Sequence, residues 1–155
     1  LSVFNVIAFA THALVSNEID DLFEPAIVLT PIDSDNPEND GLLMASEVAK
    51  LNLNADIVLL SACNTASSFD ESNSQGLSGL ADSFFAAGAK SILASYWSVI
   101  SDSAVDITTR MFDDSNTGKS YSHKHRESVL KILAEPYSYK SNPVYWAPFM
   151  VVGVN

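Results

Sequence analysis

Apolar residues along this chain fall into short continuous runs separated by polar stretches, and into segments where they recur three and four positions apart. The first pattern is that of strands buried on both faces, the second that of helices covering them. Residues 57–60 read Ile-Val-Leu-Leu, a strand with no polar position, followed by Ser61, Ala62 and Cys63. Residues 3–11 form another strand-like run, β-branched and aromatic with no breaker, which ends in Thr11-His12-Ala13. Residues 26–30 make a short strand after Pro25, and an Asp-, Asn- and Pro-rich loop runs from 31 to 41. Residues 42–44 can then pair back as a hairpin, ahead of a short helix over about 45–51.

The second half continues the alternation. The polar segment 64–75 reads as a mobile loop. Residues 76–87 predict a helix with Leu77, Leu80, Ala81, Phe84 and Phe85 on one face and Gly88 as its C-terminal cap. A buried strand is expected over 91–97 and a helix over 101–112, with Asp102 in its first turn where a carboxylate suits the dipole. Asn116-Thr117-Gly118 breaks that helix, and another follows over about 122–134. After a loop over 136–143, residues 147–152 make a last strand, which Pro148 would place at or near a sheet edge.

Strands alternating with helices predict an α/β fold, a mainly parallel sheet with helices on both faces. A helix lies between the strand ahead of His12 and the strand ahead of Cys63, so a right-handed crossover sets those strands side by side and parallel. Both residues then emerge at the end of the sheet where open α/β folds bind ligands. A thiol attacks as thiolate, and a nearby imidazole favours that form and protonates a leaving amine. Taken singly, a cysteine in an apolar strand is readily an inert core residue and a lone histidine a structural one. Their shared position at strand ends is what joins them as a dyad.

Composition narrows the setting. With 155 residues, 47% of them hydrophobic, residues 1–155 are expected to form one domain with a real core. The single cysteine excludes an internal disulfide and fits a reducing, cytoplasmic location. The apolar start over residues 1–15 lacks a basic leader and is shorter than the ~20 residues of a membrane span, so it reads as a core strand, and no membrane association is expected. A formal charge of −11 argues against nucleic acid as a partner. No basic residue precedes Lys50, whereas five of the eight lie between Arg110 and Lys131, so the acidic first half would suit a basic partner or simply a solvated surface. His123 and His125, amid Lys124 and Arg126, admit a metal or anion site, but residues two apart on a helix face different ways and favour a solvated basic face. Trp97, Tyr145 and Trp146 are read as core or pocket wall, with a carbohydrate platform as an alternative that nothing else in the sequence supports. Because the chain starts at Leu1 on a strand-like segment, it is expected to be the C-terminal part of a longer protein and to lack the first strands of its sheet.

Several motifs in order carry a family resemblance: Phe9-Ala-Thr-His-Ala13, Glu24-Pro-Ala-Ile-Val-Leu-Thr-Pro31, Gly41-Leu-Leu-Met-Ala-Ser-Glu-Val-Ala49, Leu59-Leu-Ser-Ala-Cys-Asn-Thr65, Gly79-Leu-Ala81, Ala87-Gly-Ala-Lys-Ser91 and Tyr145-Trp-Ala-Pro-Phe149 with Val152-Gly153. Together they resemble the CHAT domain, similar to caspases and separases. The resemblance implies a caspase-like three-layer sandwich and a cysteine endopeptidase with His12 as catalytic histidine and Cys63 as nucleophile. By the same analogy the backbone N–H groups of Ala13 and Cys63 hold the oxyanion. The resemblance further implies that Ser95, Tyr96, Trp97 and Asp102 line the pocket for the residue before the scissile bond, with Asp102 able to pair an Arg or Lys of the substrate; as an alternative, Asp102 only caps its helix. The resemblance implies a protein or peptide substrate, no cofactor and no metal, and upstream helical repeats of tetratricopeptide type or a regulatory protein as partner. It leaves the third member of a triad empty. The family usually has glycine where this chain has Ala13, a substitution that would be strained if φ there were positive. Met44 stands where a capping threonine often begins the next helix. The competing class is a non-catalytic protein-interaction module of the same fold.

Overall fold

The computed structural model describes residues 2–31, 40–60, 76–97, 99–113, 116–136 and 138–154. Its strands are β1 (Val6–Phe9), β2 (Ala13–Leu14), β3 (Ala26–Val28), β4 (Leu42–Met44), β5 (Ile57–Leu60), β6 (Ser91–Ser95) and β7 (Phe149–Gly153). The helices are α1 (Ala45–Val48), α2 (Gly76–Ala86), α3 (Ser101–Met111) and α4 (Tyr121–Leu133). The main sheet has the order β1-β5-β6-β7. Its first three strands are parallel and β7 runs antiparallel to β6.

All four residues of β5 are buried, as an uninterrupted apolar run requires of a strand covered on both faces. Alternation along the strands sorts their side chains into two cores. Val58 and Leu60, with Ile7, Ile92 and Ala94, pack with Val48 of α1 and with Leu80 and Phe84 of α2. Ile57 and Leu59, with Leu93 and Phe149, pack with Ile107 and Met111 of α3 and Ile132 of α4. The expected mainly parallel sheet with a helical layer on each face is therefore the architecture, and it is consistent with a caspase-like fold.

The first expected strand is shorter than residues 3–11. It leaves the main sheet after Phe9, because the next polar groups find partners elsewhere: the Thr11 hydroxyl donates to the Val28 carbonyl (2.7 Å), and Val28 N–H donates to the His12 carbonyl (2.8 Å). Ala13 and Leu14 then pair with β3, whose other neighbour is β4, in a second antiparallel sheet of order β2-β3-β4. The hairpin of β3 and β4 was legible from the sequence; the third strand supplied by the residues after His12 was not.

Local chemistry fixes several boundaries. Met44 contributes no side-chain cap to α1, and two carboxylates stand in. Glu47 accepts from Met44 N–H (2.9 Å), while Glu24 accepts from both the N–H (2.7 Å) and the hydroxyl (2.8 Å) of Ser46. Gly88 ends α2 as expected, at φ +107°, with its N–H donating to the Phe85 carbonyl (3.0 Å). A Cβ there would lie 2.4 Å from the Leu53 carbonyl oxygen, so both φ and space call for glycine. The strand expected over 91–97 stops at Ser95, and the last strand is displaced to Phe149–Gly153 with Pro148 just ahead of it. As expected, that strand is an edge of the sheet. The loop expected over 64–75 lies outside the described residues.

Candidate active site

Parallel pairing of β1 with β5 sets Phe9 opposite Leu60. His12 follows Phe9 by three positions, and in the sequence Cys63 follows Leu60 by three. Cys63 itself lies outside the described residues. Neighbouring strands stand about 4.8 Å apart, so β1 and β5 deliver the two chain segments to one end of the sheet through a common register. β6 flanks β5 on its other side and runs the same way, so Tyr96 and Trp97 follow at that end too.

His12 is exposed between β1 and β2. Its carbonyl is tied to Val28, but its imidazole has no hydrogen-bond partner among the described residues. Ala13, the first residue of β2, is 2% exposed. The residues of positive φ other than glycine among those described are Asn17 and Asp21, so Ala13 is in ordinary extended backbone and its methyl is unstrained. The ladder settles where its N–H points. Val28 N–H bonds the His12 carbonyl, which makes His12 and Val28 the hydrogen-bonded pair and Ala13 and Ile27 the non-bonded pair next to it. Ala13 N–H is thereby directed away from β3, available to another acceptor.

The residues expected to bind substrate divide by exposure. Ser95 is wholly buried in β6, whereas Tyr96 is 44% and Trp97 42% exposed. Tyr96 N–H donates to the Pro148 carbonyl (2.9 Å) and its hydroxyl to the sulfur of Met150 (3.4 Å), which hold its backbone and ring against the start of β7. Asp102 is exposed in the first turn of α3. The N-cap of that helix is Ile100, not Asp102, and the Asp102 carboxylate has no hydrogen bond or ion pair among the described residues. It complements the helix dipole without being committed to a partner.

The basic segment of α4 separates as a helical period requires. His123 is exposed and lies 3.6 Å from Glu127. Lys124 turns to a cavity shared with Asp56, Lys90, Lys119 and Tyr121. His125 lines a different, apolar pocket with Val129, Leu130, Trp146 and Phe149, and its ring is held below the ordinary imidazole pKa by burial. Among the described residues no group of three or more His, Cys, Asp and Glu side chains is placed to hold a metal. No helix among them is long and apolar enough to cross a membrane. The cavity around Lys119 and Lys124 was not anticipated as a unit; the clue available in the sequence was Lys119-Ser120, an N-cap serine beside a lysine just after the Asn116–Gly118 break.

The family model for the CHAT domain matches residues 2–154. No curated protein matches the chain. Because the family match runs over nearly the whole length and the sheet, helices and order of motifs agree with it, the chain belongs to the CHAT domain family, a caspase-like, peptidase-related family.

Proposed function

We propose that this protein is a cysteine endopeptidase that hydrolyses peptide bonds of a protein substrate through Cys63 and His12. The observation that carries this reading is the β1–β5 register: one strand leads to each residue, the strands are adjacent and parallel, and each residue stands three positions beyond its half of the Phe9–Leu60 pair. Family membership and the outward N–H of Ala13 support it.

In the reaction the thiolate of Cys63 attacks the peptide carbonyl carbon, forming a C–S bond and an oxyanion. The oxyanion is held by the backbone N–H groups of Ala13 and Cys63. The C–N bond then breaks as the His12 imidazolium gives its proton to the departing amine, leaving a thioester. Water, its proton taken by His12, attacks that thioester, and the C–S bond breaks to release the acid and restore the Cys63 thiolate beside the His12 imidazolium.

The substrate side chain before the scissile bond meets Tyr96, Trp97 and Asp102. An exposed carboxylate with no partner among the described residues, following two half-exposed aromatic residues in the chain, suits a long side chain ending in a cation, so cleavage after Arg or Lys is proposed. The partners proposed beyond the substrate are helical repeats of tetratricopeptide type or a regulatory protein, in a cytoplasmic setting. The test is hydrolysis of a peptide set differing only at that position, by the parent protein and by Cys63→Ala. Cleavage after Arg and Lys, absent in Cys63→Ala, is expected; hydrolysis that survives the substitution would remove Cys63 from the chemistry, and none with any peptide would favour a non-catalytic interaction module.

A further inference from the structure

The cavity lined by Asp56, Lys90, Lys119, Ser120, Tyr121 and Lys124 lies at the other end of the main sheet. Asp56 immediately precedes β5 and Lys90 immediately precedes β6, whereas the proposed catalytic residues follow the ends of β1 and β5. Its volume, about 500 Å³, is that of a small-molecule site.

Charge sets this cavity apart from the rest of the surface. The chain has eight basic residues against nineteen acidic ones, so a cation without a carboxylate partner is uncommon here. Arg110, Arg126, Lys131 and Lys140 are each paired, with Glu135, Glu127, Asp113 and Asp106 in turn. Lys90 is paired with Asp56 at 2.7 Å, which neutralises the one carboxylate that lines the cavity among the described residues. Among the described residues Lys50, Lys119 and Lys124 have no carboxylate partner, and two of these three line this one cavity.

What holds those two lysines is neutral. The Lys119 ammonium donates to the Asn116 side-chain oxygen (3.2 Å), and Asn116 is itself buried and anchored by a bond from its amide to the Arg110 carbonyl (2.6 Å). The Lys124 ammonium lies over two rings, 4.8 Å from the centre of Tyr121 and 5.6 Å from that of Phe112. Both ammonium groups are thus positioned, and among the described residues no carboxylate neutralises either. The phenol of Tyr121 is pushed up from its usual pKa by burial and then by Asp56, against a smaller opposing effect of Lys90, so it remains a hydrogen-bond donor at neutral pH. The start of α4 adds potential of the same sign, but the two fixed ammonium charges are what make this a site.

We propose that this cavity binds a small molecule bearing a phosphate group, held by the ammonium groups of Lys119 and Lys124 with the hydroxyls of Ser120 and Tyr121 completing its hydrogen bonds. A compact polyanion matches two point charges and two hydroxyl donors, and lysine is a regular phosphate binder. The site is independent of the peptidase reading, since binding here needs no turnover.

The test is calorimetric titration of the whole chain at fixed ionic strength with inorganic phosphate, pyrophosphate and a sugar phosphate, on the parent and on Lys119→Gln/Lys124→Gln. A Lys50→Gln variant controls for general charge, and Lys119→Arg/Lys124→Arg keeps the charge if the glutamine pair does not fold. Saturable binding is expected, weakened about tenfold or more in the glutamine pair, where two charge-assisted contacts are lost, and unchanged in Lys50→Gln. With the arginine pair, binding should be largely retained. Tighter binding of the sugar phosphate than of the inorganic anions would assign the site to a phosphate ester, and the reverse order to the free anion. No saturable binding by any of the three, or weakening as large in Lys50→Gln as in the glutamine pair, would overturn the proposal.

Discussion

Phe9 and Leu60 face each other across two adjacent parallel strands, the last residues of each, and the chain beyond them reaches His12 and Cys63 in the same number of steps. In the proposed reading the two catalytic positions depend on this strand pairing, so whatever keeps β1 and β5 in register would serve the site.

One consequence concerns the backbone donor. Ala13→Pro removes the N–H that the β2–β3 ladder leaves unused, at a position where proline breaks no ladder bond. Peptide-bond hydrolysis should fall by about 10²–10³ in kcat with the circular dichroism spectrum retained. Ala13→Gly, which keeps the N–H, should stay close to the parent. Equal activity in the proline variant would remove Ala13 from the oxyanion role.

Specificity offers a separate check. Replacing Asp102 by alanine leaves the helix, whose N-cap is Ile100, and takes away the uncommitted carboxylate. Peptides with Arg or Lys before the scissile bond should lose about ten- to a hundredfold in kcat/KM, the worth of one charge-assisted contact, while uncharged peptides change little. Arg and Lys peptides cleaved at the parent rate would show that the pocket lies elsewhere.

The turn after α2 should tolerate no side chain. In Gly88→Ala the new methyl meets the Leu53 carbonyl oxygen, and an L-residue is forced to φ +107°. A loss of at least about 1–3 kcal/mol is expected in urea unfolding. A midpoint unchanged from the parent would mean that the loop from Leu53 relaxes freely.

Stability should also respond to mild acid through His125. Burial holds its folded-state pKa below the ordinary 6.5, and its Nε2 is buried with no hydrogen-bond partner among the described residues. As pH falls through about 6.5 the unfolded chain takes up a proton that the folded one resists, so stability declines from there down to the folded-state value and is unaffected by this group above it. His125→Gln should flatten that part of the stability curve. The same slope in parent and variant would place the titration on another residue.

Much of this was legible in residue order. An apolar run without polar breaks marked β5 as buried on both faces, and Gly88 after an amphipathic segment marked the end of α2. The dyad came from a topological rule, that a helix between two strands makes them parallel, and the pairing of β1 with β5 obeys it. Less legible was the fate of residues after Phe9. Ala10 to Leu14 continue an extended pattern, and only the distant Val28 and Ile27 decide that they join a second sheet. Nor could spacing show that Lys119 and Lys124 share a cavity with Lys90, because that depends on how the start of α4 comes against the loops before β5 and β6.

The proposed catalysis is tested most directly by treating the protein with a peptidyl electrophile ending in Arg or Lys, then locating the adduct by mass. A single adduct on Cys63 is predicted, forming about 10²-fold or more slowly in His12→Ala, where the base that activates the thiol is gone. Failure of every such electrophile to modify Cys63, or modification at the same rate without His12, would contradict the dyad.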